Sequence, residues 1–300
     1  MMRRMATHIE ARDIGDAWLQ AARALVDAPG RTLVNLAVSI ADPLHEDLGV
    51  RRELEYALAG LARDKPADPV YSVHTVANTI FPISLYNPAH EQSAQLFFDR
   101  ARDTARLHHH GRHNEWGTYF GRLVAYPDPG GGEVNQLERF LAVLAEDRKW
   151  ADRYEAPLTL PGETVEAICA DALVIGPQDR RSRGGPCLAH VSFTVLDGML
   201  HLTALYRRHY YLARAYGNFL GLARLQHFLA TESGRDVGGM LVVGTHAQLE
   251  TGNLAHNKKL LERAGDAQGD IHQIEVSTRR LGASWADLEL PEPDRPTAQR

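Results

Sequence analysis

Cys187 stands where a thiol can do chemistry. It follows Arg181-Ser182-Arg183-Gly184-Gly185-Pro186 and opens an apolar, alternating run. A thiol at the mouth of a strand, after a glycine-proline turn and near several guanidinium groups, is placed to have its pKa lowered and to act as a thiolate nucleophile. The competing role is the common one for a free cysteine, a small buried hydrophobe. Cys169, inside the apolar stretch Val165–Ile175, suits that role better. His108, His109, His110 and His113 form a second group of candidates. Neutral imidazoles bind transition metals, but the segment holds no carboxylate or cysteine at a familiar spacing, and consecutive side chains of an extended segment point in opposite directions. A solvated loop is the better reading, and no metal site is expected. Tyr206, Tyr210, Tyr211 and Tyr216 could stack on a base, or simply pack around a hairpin and the following helix.

From Gly185 onward the order of residues carries more. Gly185-Pro186-Cys187 is followed by Phe193 and Val195, the turn Asp197-Gly198, then Arg207, then Asn218 at a helix start, then Asp236-Val237-Gly238 before a strand. This ordered set resembles thymidylate synthase, in which a Pro-Cys pair opens a strand, a hairpin turns at Asp-Gly, an arginine follows, and an asparagine stands at a fixed interval beyond the cysteine. The spacing fits without gaps from Gly185 to Gly238. Elsewhere Gly30-Arg31-Thr32 looks like the family's phosphate-loop arginine region, and Asn114-Glu115-Trp116 with Tyr119-Phe120-Gly121-Arg122 looks like its active-site aromatic segment. Val134-Asn135-Gln136-Leu137 looks like its next helix.

The resemblance implies a transferase that adds a one-carbon unit to C5 of a pyrimidine nucleotide. Cys187 would add to C6 and make C5 nucleophilic, with 5,10-methylenetetrahydrofolate as co-substrate. Arg207 and Arg31 would hold the nucleotide phosphate, where a planar fork makes paired charge-assisted hydrogen bonds; a solvated surface charge is the plain alternative for either. Asn218 would read the pyrimidine edge, since one carboxamide both donates and accepts, or it is a helix cap. Gln248 falls at a ribose position, and Trp116 and Tyr210 fall beside the folate. The family is also a homodimer whose large sheets pack face to face.

The departures are as informative. The family's catalytic glutamate belongs near His74-Thr75-Val76-Ala77-Asn78-Thr79-Ile80-Phe81, where this chain has no carboxylate. Asn78 could hold a water but cannot shuttle protons. Tyr210 replaces the folate-binding aspartate, Tyr206 a glutamine, Gln248 and Glu250 the ribose-binding His and Tyr, and Leu188 the histidine after the cysteine. The paired phosphate arginines from the second protomer fall on Glu166-Ala167, so that Arg153, Arg180, Arg181 or Arg183 would have to replace them. The end of the chain leads from Leu288-Glu289-Leu290-Pro291 into a charged tail rather than the family's closing segment. Losing a lid favours attack by water, so the product is a methyl or a hydroxymethyl group. A catalytically altered nucleotide-binding or scaffold protein on the same fold is the alternative.

Composition agrees with a small anionic substrate. In 300 residues, 33 Lys+Arg against 38 Asp+Glu leave a formal net charge of -5, which removes the broad positive footprint of a protein that grips nucleic acid. Two cysteines cannot build a disulfide framework or a four-thiolate site, and the start, Met1 to Ile9, lacks the apolar stretch of a secretion signal. A cytoplasmic protein without a membrane segment is expected.

The elements that must position these residues follow from periodicity. Ile14, Trp18, Ala22, Leu25 and Val26 mark an amphipathic helix, and Val34, Leu36, Val38 and Ile40 an alternating strand after it. Helices are expected near Arg51–Ala62, Tyr71–Ile80, Ala89–Leu107, Val134–Arg148, Tyr216–Thr231 and Asn253–Ala264. Strands are expected at Val165–Ile175, Leu188–Val195, Leu200–Tyr206, Met240–Val243 and Ile271–Val276, with a hairpin at Asp197-Gly198 because both positions tolerate positive φ. With no linker or repeat, this reads as one α+β domain over residues 1–290, a large mixed sheet with flanking helices, and a disordered tail over 291–300.

Overall fold

The computed structural model describes residues 6–64, 70–108, 118–128, 132–145, 155–158, 186–250 and 254–276. In chain order the elements are β1 (Thr7–Ala11), α1 (Ile14–Asp27), β2 (Thr32–Ile40), β3 (His45–Asp47), α2 (Leu48–Asp64), α3 (Val73–Asn78), α4 (Ser93–His108) and α5 (Tyr119–Val124). Then come β4 (Tyr126–Pro127), β5 (Glu133–Val134), α6 (Gln136–Ala145), β6 (Glu155–Pro157), β7 (Leu188–Leu196), β8 (Met199–Tyr206) and β9 (His209–Tyr210). A π-helical turn over Tyr211–Ala215 leads into α7 (Tyr216–Glu232), followed by β10 (Asp236–Gln248), α8 (Leu254–Asp266) and β11 (Ile271–Gln273). Seven strands form one mixed sheet in the order β1-β2-β10-β8-β7-β6, with β9 also on β10.

Helix α1 starts at Asp13, whose side chain accepts from the Asp16 amide and satisfies a donor the helix itself leaves open. Its buried stripe of Ile14, Ala17, Trp18, Ala21, Ala22 and Leu25 contains the residues that periodicity picked out, apart from the partly buried Val26. The strand expected after it extends over Thr32–Ile40, but only Leu36, Val38 and Ile40 face the core. Val34 is 57% exposed. Asn35 has φ 53, and this left-handed residue breaks the two-residue period just where Val34 would otherwise turn inward.

The short β3, β4, β5, β6 and β9 were not expected, β11 ends at Gln273 rather than Val276, and β1 and β10 depart furthest from expectation. β1 precedes α1 and pairs with β2 in parallel, so the first described element is a strand rather than a helix. The strand expected over Met240–Val243 runs instead from Asp236 to Gln248, through the middle of the sheet between β2 and β8. Glycine weakens strand propensity, and Gly238, Gly239 and Gly244 hide the length of this strand in the sequence. The fold uses two of them for close approach: a Cβ at Gly238 would lie 2.6 Å from the His201 ring, and one at Gly244 would lie 3.2 Å from the His209 Cβ.

The hairpin forms as read, with Asp197 at φ 52 and Gly198 at φ 79 between β7 and β8. Helix α7 is buried nearly all round, as a helix at the centre of a domain must be. α3 packs directly on it, because a Cβ at Gly217 would sit 2.6 Å from Val76 Cβ and one at Gly221 would sit 2.7 Å from the Ala77 carbonyl. Gln226 of α7 donates to the carbonyls of Leu200 (2.7 Å) and Gly238 (2.9 Å), which satisfies the sheet where its register shifts. Phe81, Tyr86, Phe97, Phe120 and Phe228 complete the core as a cluster of rings.

One face of the sheet, with Leu36, Val38, Val242, Leu202, Ala204 and Phe193, is buried. On the other, Leu241 pairs with Ser39 and Thr203, and Val243 pairs with Ala37 and Leu205. All six are at least partly exposed, Leu205 by 38%. Val165–Ile175, the histidine segment beyond His108 and the tail over 291–300 lie outside the described residues. Among the described residues, no helix is long and apolar enough to cross a membrane.

Candidate functional site

Strand directions bring the candidates to one end of the sheet. β7 begins at Leu188 opposite the end of β8 at Tyr206; β8 and β10 run parallel; and β2 begins at Thr32 opposite the end of β10 at Gln248. Residues just before β7 and β2, and just after β8 and β10, therefore share one rim. Cys187, Arg31 and Arg207 are at those positions, and Gln248 is the last residue of β10.

Cys187 and Arg207 meet across the hairpin. The Arg207 amide donates to the Cys187 carbonyl at 2.8 Å, and its Nε and Nη2 both donate to the Pro186 carbonyl, at 3.1 and 2.7 Å. Thr245 Oγ1 donates to the Arg207 carbonyl at 2.8 Å and ties the pair to β10. Two guanidinium donors are thus spent on the turn that carries the cysteine. The thiol itself differs from expectation: its pKa is raised, not lowered, because burial outweighs the pull of the Arg207, Arg208 and Arg214 charges. Tyr119, at the start of α5, lies close enough to interact with it; burial pushes this phenol up to about 12 and keeps it protonated.

Asn218, expected either on the base or at a helix cap, sits in the first turn of α7 and is 4% exposed. Its Nδ2 lies 3.2 Å from Nε2 of His209. His209, absent from the sequence-based candidates, is 1% exposed and stacks on Tyr206 with ring centroids 4.3 Å apart and planes at 5°. Its signal was the single imidazole in Tyr206-Arg207-Arg208-His209-Tyr210-Tyr211, a run that reads as aromatic packing.

Gln248 pairs in the sheet with Tyr210 on one side and Thr32 on the other, and the Leu249 amide donates to the Arg31 carbonyl at 3.0 Å. Arg31, Gln248 and Tyr210 therefore form one group on the rim. Arg31 and Gly30 both have positive φ, 54 and 64, which turns the chain sharply before β2. Glu250 is committed elsewhere: its two oxygens accept from the Leu212 and Ala213 amides, at 3.1 and 2.6 Å, and pin the π-helical turn. Arg208 donates to the Tyr210 hydroxyl at 3.2 Å, and the Arg214 guanidinium lies 4.8 Å from the centre of the Tyr71 ring. Trp116 and the arginines at 153, 180, 181 and 183 lie outside the described residues.

At the position of the missing carboxylate, Asn78 is also engaged. Its Nδ2 is 2.9 Å from His74 Nε2, and its Oδ1 accepts from the Ile83 amide at 3.4 Å. His74 is held down to about 4 by burial and by the Arg224 and Arg51 charges, and His209 to about 3 by burial alone. Among the described residues, no cluster of three or more His, Cys, Asp or Glu could hold a metal ion. A cavity of 360 Å³ is lined by Arg12, Asp16, Gly265, Gln268 and Gly269, none of them a candidate above.

Both histidines titrate below their ordinary 6.5, so protons bind the unfolded chain more readily. Their contribution to stability is complete above pH 6.5 and is lost as pH falls toward about 4 for His74 and about 3 for His209. For the buried His209 this costs up to about 1.4 kcal/mol per pH unit in that window, and for the half-buried His74 solvent screening makes the cost smaller. Glu55 and Glu250, raised by burial, act in the opposite sense. Thermal melts from pH 7 to 5 should therefore show falling stability, with a shallower slope in His209→Phe; an unchanged slope in that variant contradicts a buried neutral His209.

No protein-family model matches the sequence. A curated protein from Methanothermobacter thermautotrophicus (strain Delta H), described as "Putative thymidylate synthase", is 31% identical over 86 residues, which is 29% of this chain and 39% of that protein. The match thus covers well under half of either.

Proposed function

We propose that this chain is a thymidylate synthase-like transferase that adds a methyl or hydroxymethyl group to C5 of a pyrimidine nucleotide through a Cys187 adduct. The observation that carries this reading is the joining of Cys187 and Arg207 at one end of the sheet, with Asn218 following the same hairpin. The local similarity to the Methanothermobacter protein supports the same family.

The Cys187 sulfur adds to C6 of the base, and the electron pair of the C5–C6 double bond passes to C5, which takes up the one-carbon unit. Loss of the C5 proton to solvent accompanies cleavage of the bond between the transferred carbon and the folate nitrogen, and addition of a hydride (methyl product) or of water (hydroxymethyl product) to that carbon releases the thiolate and restores the ring. The thiol must first lose its own proton, and its raised pKa leaves most of it protonated at neutral pH. Arg207, Arg208 and Arg214 stabilise the thiolate that forms. Protonated Tyr119, beside the sulfur, supplies a hydrogen-bond donor. Asn218 reads the base edge, Arg31 and Arg207 face the phosphate, and Gln248 lies toward the sugar.

5,10-Methylenetetrahydrofolate supplies the one-carbon unit and, for a methyl product, the hydride. Tyr210, partly exposed and held at its hydroxyl by Arg208, suits a planar pterin by stacking rather than by carboxylate hydrogen bonds; Trp116 belongs to the same proposed subsite. A homodimer through the second face of the sheet fits its apolar centre of Leu205, Leu241 and Val243.

Incubation with methylenetetrahydrofolate and a panel of uridine and cytidine nucleotides tests the reaction, read by mass spectrometry for a gain of CH2 or CH2O and by tritium release from C5. Either product supports it. The raised thiol pKa and the absent carboxylate favour a second reading, a non-catalytic nucleotide-binding protein on the same fold, which nucleotide binding without product or tritium release would select.

A further inference from the structure

Asn218 reaches the base edge only through an amide that is already held on one side. Its Nδ2 faces Nε2 of His209 at 3.2 Å. An amide nitrogen has no lone pair to give, so the imidazole nitrogen is the acceptor and the ring proton resides on Nδ1. The ring cannot swing away: it is 1% exposed, parallel to Tyr206 at 4.3 Å, and met by Tyr211 at 4.9 Å and by the edge of Phe219 at 5.7 Å. Burial keeps it neutral, so its acceptor persists at physiological pH.

A second observation points to a polar ligand here. Nδ1 of His209 and the hydroxyls of Tyr206 and Tyr211 are all buried and find no hydrogen-bond partner among the described residues. Such orphaned groups are rare in native folds and mark a place where a ligand or an ordered water completes the bonding.

We infer that His209 is a positioning residue that locks the Asn218 carboxamide in one orientation and so sets the choice between a uracil and a cytosine edge. This rests on the pyrimidine reading above. Uracil presents an acceptor at C4 and a donor at N3, whereas cytosine presents the reverse. A carboxamide free to rotate by half a turn satisfies either; one held by His209 satisfies a single pattern. Neither His209 nor its contact with Asn218 belongs to the residues that carry the family resemblance.

The test is equilibrium binding of UMP, dUMP, CMP and dCMP to the full-length wild type, His209→Phe, His209→Leu and His209→Gln. The wild type should prefer one base by roughly tenfold or more, as expected of a paired amide contact. Phe keeps the stacked ring and Leu some of the volume, but both remove the acceptor, so in either the preference should fall below about threefold. Gln supplies an oxygen acceptor and should retain it. Nitrogen NMR of the wild type gives a readout without mutation: the His209 proton should reside on Nδ1. A folded Phe or Leu variant with unchanged preference, a wild type that binds both bases equally, or a proton on Nε2 overturns the lock. Absence of binding to all four nucleotides instead removes the pyrimidine reading on which it rests.

Discussion

The Cys187→Ala variant is expected to lose one-carbon transfer by roughly four orders of magnitude or more, the scale on which removal of a covalent nucleophile acts. No other thiol can replace it, since Cys169 is the chain's only other cysteine and the resemblance gives it no catalytic part. The loss should come without unfolding: Cys187 is partly exposed, precedes β7, and contributes its backbone carbonyl, not its thiol, to the Arg207 hydrogen bond. Steady-state turnover beside a thermal melt checks both halves. Trapping of a nucleotide-protein adduct should vanish in parallel. Because the thiol is raised by burial and pulled back by three arginines, its alkylation rate in the wild type should climb as pH rises past neutrality. A Cys187→Ala protein that still makes product would end the covalent reading, and a thiol fully reactive at pH 6 would contradict the burial argument.

Trp18→Ala should cost about 3–5 kcal/mol, the usual penalty for truncating a fully buried aromatic. Trp18 is 0% exposed in the middle of α1, and its indole Nε1 donates to the Tyr211 carbonyl at 2.7 Å. That bond joins the first helix to the turn that leads into α7, and Tyr216 packs on the same ring at 6.3 Å. The damage should therefore reach the site: Tyr211 lies against His209, which holds Asn218. Denaturant unfolding gives the energy, and nucleotide affinity at a temperature where the variant remains folded gives the local effect. Trp18→Phe, which keeps most of the volume and loses the hydrogen bond, should fall between the two. A cost below about 1 kcal/mol for alanine would mean that the helix-to-turn bond is not needed.

Much of this molecule could be read from residue order because the interactions are local. The α1 stripe, the Asp197-Gly198 turn, and the pairing of Cys187 with Arg207 all follow from periods and turn chemistry within a few tens of residues, the hairpin above all. β10 could not be read in the same way. Its glycines lower strand propensity, and their use, making room for His201 and His209, exists only when distant segments meet. β1 was hidden for a related reason: five residues are too few for a period, and parallel pairing with β2 defines it.

The sequence by itself determined an α+β chain, the hairpin that opposes Cys187 and Arg207, the absence of a carboxylate at Asn78, and a formal net charge of -5. Those are matters of residue type and short-range geometry. Only the tertiary structure decided the electrostatics and the alliances. Burial raised the thiol that nearby arginines alone would have lowered, since desolvation depends on everything packed around a group. Glu250 became a clamp on two amides rather than a free carboxylate, and Asn218 acquired His209 as its holder through a contact between residues nine positions apart on different elements. A residue's type states which bonds it can make; which of them it does make is settled by the neighbours that folding brings within reach.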